Sequence, residues 1–251
     1  MKYSIIIPTY KRQEKLKRAI QSVLDQKGNF DIQIIIINDS PDYDYSMFES
    51  WLVDMKNSST RSIVYNKNTE NKGVNFSRNY ALTLVAEDSS YVIFLDDDDW
   101  FEIDALGDID NYLRLNKGIQ WLLTNRVKQT GESLTTVSKN KKSFNYFLDY
   151  LVCKCIMGDA THIIKKQIAT SYKFSNKIKN GEEWFYFIQI PSRFSYKNLN
   201  STKSEGYSDT GLNVGMQKTY KINTRILWSE ITGLKMFVYI SIRSLYDTMG
   251  R

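Results

Sequence analysis

Four consecutive aspartates, Asp96, Asp97, Asp98 and Asp99, are the residues of this chain best suited to chemistry. They follow the apolar run 91–95, which is typical of a strand buried on both faces, and such a strand presents them at the ligand crevice of an open α/β sheet. Adjacent carboxylates repel one another unless a cation joins them, and Mg²⁺ and Mn²⁺ take carboxylate oxygens together with substrate phosphates. This acidic run predicts a metal site that serves a phosphate ester, since a solvated turn that caps the next helix would need only one acid.

A second pair of acids, Glu182 and Glu183, follows Gly181 and opens the aromatic segment 184–187. Acids at this point stabilise the dipole of a helix that begins there. An acid among aromatic side chains is also partly desolvated, which raises its proton affinity and suits it to act as a general base. The sequence leaves both interpretations open.

The other residues that could bind a metal are Cys153, Cys155 and His162. Their spacing matches no common zinc pattern and a fourth ligand is missing, so we interpret the cysteines as structural residues. Two cysteines one residue apart also have poor geometry for a mutual disulfide. His162 is the only histidine, and its place on a short predicted strand favours a packed or surface residue over a catalyst.

The composition is that of an ordinary globular protein of 251 residues with a formal net charge of +6. This charge suits anionic partners such as nucleotide phosphates or acidic lipid headgroups. Nucleic acid is not an expected partner, because the positive charge is scattered and acids occupy the crevice. No charged leader opens the chain and no apolar run reaches transmembrane length, so we expect a cytoplasmic protein.

The elements that must position the acids alternate along the first hundred residues. Strands are predicted at 3–8, 32–37, 61–65 and 91–95, with helices at 12–26 and 45–55 and a third helix capped by Asn75. Right-handed crossovers make such a series an α/β fold with a mostly parallel sheet and helices on both faces.

Parallel strands carry their carboxyl ends to one edge of the sheet, so four segments should share a single crevice. These are Thr9-Tyr10, Asn38-Asp39, Lys72-Gly73 and the acidic run. The chain has neither a dinucleotide-binding glycine fingerprint nor a P-loop, so a metal and basic side chains would have to hold phosphates there. Arg78, near the start of its helix, is the best placed basic residue, although its position fits an ordinary surface arginine equally well.

The second half of the chain has a different character. It predicts helices at 104–116 and 144–152, strands at 119–127, 160–164 and 192–200, and polar loops at 131–142 and 201–215. From about residue 223 an apolar stripe at helical spacing is flanked by basic residues. This terminal segment is either a packed helix or a basic helix on an anionic membrane.

Five parts of the sequence together resemble the glycosyltransferase family 2 enzymes with the GT-A fold. They occur in the family's order at 4–10, 36–40, 71–79, 94–100 and 181–184. The resemblance implies that residues 1–100 bind a nucleotide-activated sugar, that 101–215 form the acceptor-binding half of the same domain, and that 216–251 are a C-terminal helical extension.

The resemblance also implies roles for individual residues. Thr9, Tyr10, Asp39, Gly73 and Arg78 match positions at the nucleotide, with Thr9 and Asp39 at its base. The acidic run matches the family's D-x-D element, in which one acid faces the ribose and another binds Mn²⁺ or Mg²⁺. We favour Asp96 and Asp98 as the spaced pair, with Asp96 and Asp97 on the nucleotide side, Asp98 as the metal ligand and Asp99 as a further ligand.

The base is the point at which this sequence departs from the family, since Glu183 stands where an aspartate is usual. Either the acceptor lies slightly further back to suit the longer side chain, or Glu182 is the base. The implied reaction is an inverting transfer from a nucleoside-diphosphate sugar, with UDP expected, to a saccharide or lipid-linked acceptor in surface polysaccharide synthesis. Peripheral contact with the inner membrane is part of this expectation. The rivals are a sugar-phosphate nucleotidyltransferase and a binding subunit with a decayed active site.

Overall fold

The computed structural model describes residues 1–138 and 141–205 together with Leu227. The strands are β1 Lys2–Thr9, β2 Asp31–Asn38, β3 Ser62–Lys67, β4 Tyr91–Phe94, β5 Asp99–Phe101, β6 Trp121–Lys128, β7 Thr135–Val137, β8 Ile156–Gly158, β9 Ala160–Lys165 and β10 Ser195–Ser204. The helices are α1 Gln13–Leu24, α2 Ser46–Ser58, α3 Val74–Thr83, α4 Ala105–Leu115, α5 Lys166–Ala169 and α6 Trp184–Gln189, with a π-helix at Tyr146–Val152.

Eight strands form one sheet in the order β3-β2-β1-β4-β9-β6-β10-β5. The first four are mutually parallel, and β10 is parallel to β6. Strand β9 runs antiparallel to both of its neighbours, and β5 is antiparallel to β10. The mostly parallel α/β sheet expected from the β-α alternation is therefore confirmed, with two reversed strands in its second half.

Apolar side chains cover both faces of the sheet. Along β1, Ile5 and Ile7 pack into the cluster that includes α1 and α4, while Ile6 packs into the opposite cluster with residues of α3 and α6. Successive side chains of a strand point to opposite faces, so a strand covered on both sides needs a continuous apolar run. The Ile-Ile-Ile and Ile-Ile-Ile-Ile runs of β1 and β2 satisfy this requirement.

The structure differs from the sequence-based prediction at three places. The polar loop expected over 131–142 contains β7, which pairs with β8, and the strand expected to end at residue 200 continues to Ser204. Asp99 begins the short strand β5, so only the first three acids of the run lie between strands. Hydrogen bonds to partner strands override local polarity at these places. The apolar stripe of the terminal segment lies outside the described residues except for Leu227.

The start of α3 also differs from the prediction, because Gly73 and not Asn75 is its N-cap. Gly73 has a φ of +86°, and a Cβ there would lie 2.3 Å from the carbonyl oxygen of Lys179. Only glycine fits such a backbone conformation and such a close approach. Asn75 is instead a buried residue of the first helical turn.

Candidate functional site

The carboxyl ends of the parallel strands meet in one crevice, as the β-α alternation predicts. The Asp39 amide donates to the carbonyl of Thr9 over 2.9 Å, which joins the ends of β1 and β2. The Thr9 hydroxyl donates to the carboxylate of Asp97 over 2.7 Å, which joins β1 to the acidic run. The four segments expected to share this edge of the sheet are therefore in contact.

Asp39 has both of its carboxylate oxygens engaged by the chain itself. Its Oδ1 accepts from the Lys72 amide at 2.9 Å and from the Asn68 side chain at 2.8 Å, and its Oδ2 accepts from the Gly73 amide at 2.7 Å. Asp39 is nearly fully buried. Its carboxylate thus fixes the loop that leads into α3, and its predicted contact with a nucleotide base stays a prediction.

The four acids of the acidic run divide into two accessible and two buried carboxylates. The side chains of Asp96 and Asp98 are 37% and 32% exposed, whereas those of Asp97 and Asp99 are 7% and 4% exposed. The alternation follows from their positions, because Asp97 turns toward Thr9 and Asp99 enters β5. The accessible pair is the spaced pair that the sequence favours.

Three arginines from separate elements hold the acidic run. Arg12, just before α1, contacts Asp97 at 3.1 Å and Asp98 at 2.8 Å. Arg78 of α3 donates to Asp96 at 2.7 Å. Arg126 of β6 pairs closely with Asp99 and lies 3.7 Å from Asp96. Mutual repulsion of the acids is thereby relieved by side-chain cations.

Burial and these arginines together set the acidity of the run. Desolvation raises the pKa of Asp97 to about 6, and it raises that of Asp99 to about 7 against the opposing pull of Arg126. Desolvation also acts to raise the pKa of Asp96, but Arg78 and Arg126 outweigh it, so the pKa of Asp96 lies below its ordinary value. Asp96 is therefore ionised at neutral pH.

Glu183 lies beside the acidic run because Arg78 bridges them. One guanidinium nitrogen of Arg78 donates to Asp96 and the other donates to Glu183 over 2.8 Å. Arg78 itself is buried, with only 5% of its surface exposed, so it lies beneath the two carboxylates. The Glu183 side chain is 44% exposed and is therefore partly withdrawn from solvent. Its contact with the first half of the chain is an ion pair with Arg78.

Glu182 has a different environment from its neighbour. Its backbone has a φ of +62°, and its carboxylate accepts from the indole N–H of Trp184 at 2.5 Å. Glu183 is the N-cap of α6. The expectation that a helix begins just after these acids is confirmed. Glu183 accepts a hydrogen bond from Arg78, and this bond places Glu183 next to the acidic run.

Tyr10 has its aromatic ring at the surface of the crevice. Its side chain is exposed, and the ammonium group of Lys11 lies 5.1 Å from the ring centroid. Its backbone N–H points to Asp97 at 3.4 Å. The ring is thus accessible to a ligand, and its role at the nucleotide stays a prediction.

The donor set at the crevice suits a hard divalent cation. Asp96 and Asp98 offer accessible carboxylate oxygens, and the buried Oδ1 of Asp99 has no hydrogen-bond partner in the described part of the chain. No group of three metal-binding side chains is found among the described residues. A cation held by one or two carboxylates and by substrate phosphates needs no such group.

Among the described residues, no bond joins the other titratable groups singled out by the sequence to the acidic run or to Glu183. His162 is buried, stacks on Phe187 with a centroid distance of 3.9 Å, and accepts from the indole of Trp121 at 3.1 Å. The two cysteines are free thiols, Cys153 exposed and Cys155 buried. The interpretation of His162 as a packed residue is confirmed.

Arg12 and Arg126 are site residues that the sequence did not single out. Arg126 had a recognisable signal, since a charged arginine lies inside the strand predicted over 119–127. An arginine inside a buried strand requires a charged partner. Arg12 had no such signal, because basic residues are common at the start of an exposed helix.

The fold and the crevice together define a class of protein. The sheet is mostly parallel and carries clustered acids at its carboxyl edge, and its second half contains two reversed strands. This is the architecture of GT-A glycosyltransferases. S. aureus TarS 1-349, solved in complex with UDP-GlcNAc, superposes with a TM-score of 0.71 at 16% identity, covering 96% of this chain and 70% of that one.

The sequence comparisons then give the family. The model of Glycosyl transferase family 2 matches residues 4–164, and the chain belongs to this family. It is 30% identical over 196 residues to the minor teichoic acid biosynthesis protein GgaA of Bacillus subtilis, covering 75% of this chain and 43% of GgaA. It is 34% identical over 116 residues to the poly(ribitol-phosphate) beta-N-acetylglucosaminyltransferase TarP of Staphylococcus aureus, covering 46% of this chain and 34% of TarP. The chain thus spans less than half the length of these relatives.

Proposed function

We propose that this protein is an inverting, metal-dependent glycosyltransferase that moves a sugar from a nucleoside-diphosphate sugar, with UDP as the expected nucleotide, to a saccharide or lipid-linked saccharide. The observation that carries the proposal is the bridge formed by Arg78, which holds Glu183 beside the ionised Asp96. An acid that could accept a proton is thereby fixed next to the acids that would face the donor. Membership of the family and the names of the relatives support a role in surface polysaccharide synthesis.

The residues of the chain divide the reaction between them. Glu183 accepts the proton of the acceptor hydroxyl as that oxygen attacks the anomeric carbon, and the bond to the nucleoside diphosphate breaks on the opposite face. Arg78 keeps Glu183 aligned with Asp96 and supplies positive charge beneath the site. Glu183 is favoured over Glu182 because the carboxylate of Glu182 is turned to Trp184.

Asp98 is the residue that would hold Mn²⁺ or Mg²⁺, with Asp96 beside it on the nucleotide side. Both are accessible, and Arg12 contacts Asp98 from a side chain that is itself half exposed. A bound divalent cation would neutralise charge on the departing diphosphate. Asp99 stays a further proposed ligand, although its close pair with Arg126 holds it away from solvent.

Membrane contact is the part of the proposal that depends on the basic terminal segment beyond the described residues. No helix in the described ranges is both long and apolar enough to cross a bilayer. A peripheral position on the cytoplasmic face would bring the crevice to a lipid-linked acceptor. Binding of the protein to anionic vesicles, compared with neutral ones, measures this directly.

A screen of nucleotide sugars with Mn²⁺ tests the reaction. Release of a free nucleoside diphosphate that depends on an added saccharide acceptor supports the proposal. Formation of pyrophosphate from a sugar phosphate and a nucleoside triphosphate would instead identify a nucleotidyltransferase. Binding of a nucleotide sugar without hydrolysis or transfer would identify a subunit with a decayed site.

A further inference from the structure

The segment 174–181, which leads directly into Glu182 and Glu183, is held by one side of α3. The side-chain amide of Asn75 donates to the backbone carbonyls of Ser175 at 3.2 Å, Ile178 at 3.0 Å and Gly181 at 3.1 Å. Asn75 is only 2% exposed. A single buried side chain thus gathers three carbonyls from one irregular segment.

Asn79, one helical turn later, holds the beginning of the same segment. Its side chain donates to the carbonyl of Phe174 and accepts from the amide of Phe174, both over 2.9 Å. At the other end of the segment, Gly73 packs against Lys179, and the backbone N–H of Asn75 donates to the backbone carbonyl of Lys179 at 3.3 Å. Two turns of α3 therefore fix the segment along its length.

Arg78 lies on this same side of α3, three residues after Asn75. Residues three and four apart on a helix face the same direction. The helix surface that holds the backbone of 174–181 is therefore also the surface that carries the guanidinium bound to Glu183. Displacement of the segment would move Glu183 away from Arg78 and from Asp96.

We propose that Asn75 is a positioning residue for the base Glu183, acting through the backbone of 175–181. The inference rests on the proposed function, because it takes Glu183 as the base. The amide of Asn75 has only two N–H protons for three carbonyls, and its own Oδ1 lacks a hydrogen-bond partner within the described residues. Its side chain is therefore committed to donating, which a purely space-filling residue would not require.

The test compares Asn75→Leu with a control variant, Gln33→Leu, whose site is near the amino end of β2. Leucine has a similar size but no donor, so it leaves the three carbonyls unbonded. Gln33→Leu removes a buried amide that bonds the Leu84 carbonyl at 2.9 Å near the amino end of β2, remote from the acidic run. Both variants lose a buried side-chain amide, but only Asn75 contacts the segment before Glu183.

In Asn75→Leu, kcat should fall about thirtyfold, because small misplacements of reacting groups are costly. The kcat is given per UDP-binding site, with the number of sites measured by calorimetry. The Kd for UDP should change less than threefold. Hydrogen exchange of the amides in 174–183 should accelerate at least tenfold. Gln33→Leu should leave both kcat per site and this exchange within twofold of the wild type.

An unchanged kcat per binding site in Asn75→Leu, or an equal loss in Gln33→Leu, would overturn the inference. If Asn75→Leu does not fold, Asn75→Ser keeps one donor and should show a smaller loss of kcat in the same direction. A wild-type protein without transfer activity would refute the proposed function instead. Hydrogen exchange would still decide in that case whether Asn75 orders the segment.

Discussion

The two carboxylate sites in the crevice are built in opposite ways. Asp39 is held by two backbone amides and one asparagine side chain, all within the stretch 68–73. The acidic run is held mainly by arginine side chains from the start of α1, from α3 and from β6. One site is held by a single segment, mainly through its backbone, whereas the other depends on three separate elements.

Under the proposed function, this difference separates the region expected to bind the nucleotide from the region expected to react. Backbone amides change little when a ligand arrives, so the region of Asp39 is preorganised. Side-chain ion pairs can exchange partners, and five carboxylates, including Glu183, share three guanidinium groups in the other region. The excess of negative charge there suits the transient presence of a cation. Four predictions test this contrast, and a fifth concerns the core.

The largest effect is expected for Glu183→Gln, which removes the proposed base and leaves the nucleotide region intact. Transfer should fall by about a thousandfold, in line with the loss of general base catalysis. Affinity for UDP, measured by calorimetry, should stay within threefold. Normal transfer by this variant would refute the assignment of the base, and Glu182→Gln is the matched control.

Asp98→Asn should reduce transfer by about a hundredfold at saturating donor. The variant removes one accessible charge that would hold the cation. The concentration of Mn²⁺ that gives half-maximal activity should rise at least tenfold. If the variant keeps the wild-type response to Mn²⁺, Asp98 is not the ligand, and the metal is held by Asp96 or Asp99 instead.

Arg78→Met should lower transfer about thirtyfold and reduce the free energy of unfolding by about 3 kcal/mol, because Asp96 and Glu183 lose their shared cation. Arg12→Met should cost about 1 kcal/mol at most, since the Arg12 side chain is 46% exposed. Urea denaturation and steady-state kinetics measure both effects. Equal losses in the two variants would contradict a special position of Arg78.

Asp39→Asn should weaken UDP binding about tenfold and lower the free energy of unfolding by about 2 kcal/mol. An amide nitrogen would replace one oxygen and face a backbone N–H of Lys72 or Gly73. The kcat at saturating donor should change less than fivefold, in contrast to the variants of the acidic run. Asp42→Asn, an exposed acid nearby, should have no effect on either quantity.

The smallest effect on transfer is expected in the core, where His162 contacts neither site within the described residues. Burial lowers the pKa of His162 from 6.5 to about 3, so below pH 6.5 protons bind preferentially to the unfolded chain. The contribution of His162 to stability should therefore decline by up to about 1.4 kcal/mol per pH unit as pH falls from 6.5 toward 3.

The His162→Leu variant isolates this contribution. Asp97 and Asp99 have raised pKa values and give the opposite slope, but they are present in both proteins and cancel in the difference. Urea denaturation at pH 7 and pH 5 should show that wild type loses more stability than His162→Leu on acidification. Parallel losses would show that His162 is not buried in its neutral form.

The sequence predicted which residues lie in the crevice better than it predicted the contacts between them. The strands that end at Thr9, Asn38 and Phe94 were recognisable from apolar runs, and their parallel order brought Asp39 and the acidic run together. The positions of β5 and β7 were missed, because short strands depend on partners distant in sequence. The role of Asn75 was missed for the same reason, since its partners are about a hundred residues away.

The sequence by itself therefore determined the class of fold, the edge of the sheet that carries the acids, and the family motifs. These follow from local periodicity and from the fixed handedness of strand crossovers. Only the tertiary structure decided which arginine meets which acid and which acids stay accessible. Arg126 reaches Asp99 and Arg78 reaches Glu183 because β6, α3 and the segment before α6 pack around the crevice. Ion pairing and burial at that scale depend on through-space distances, which sequence spacing does not encode.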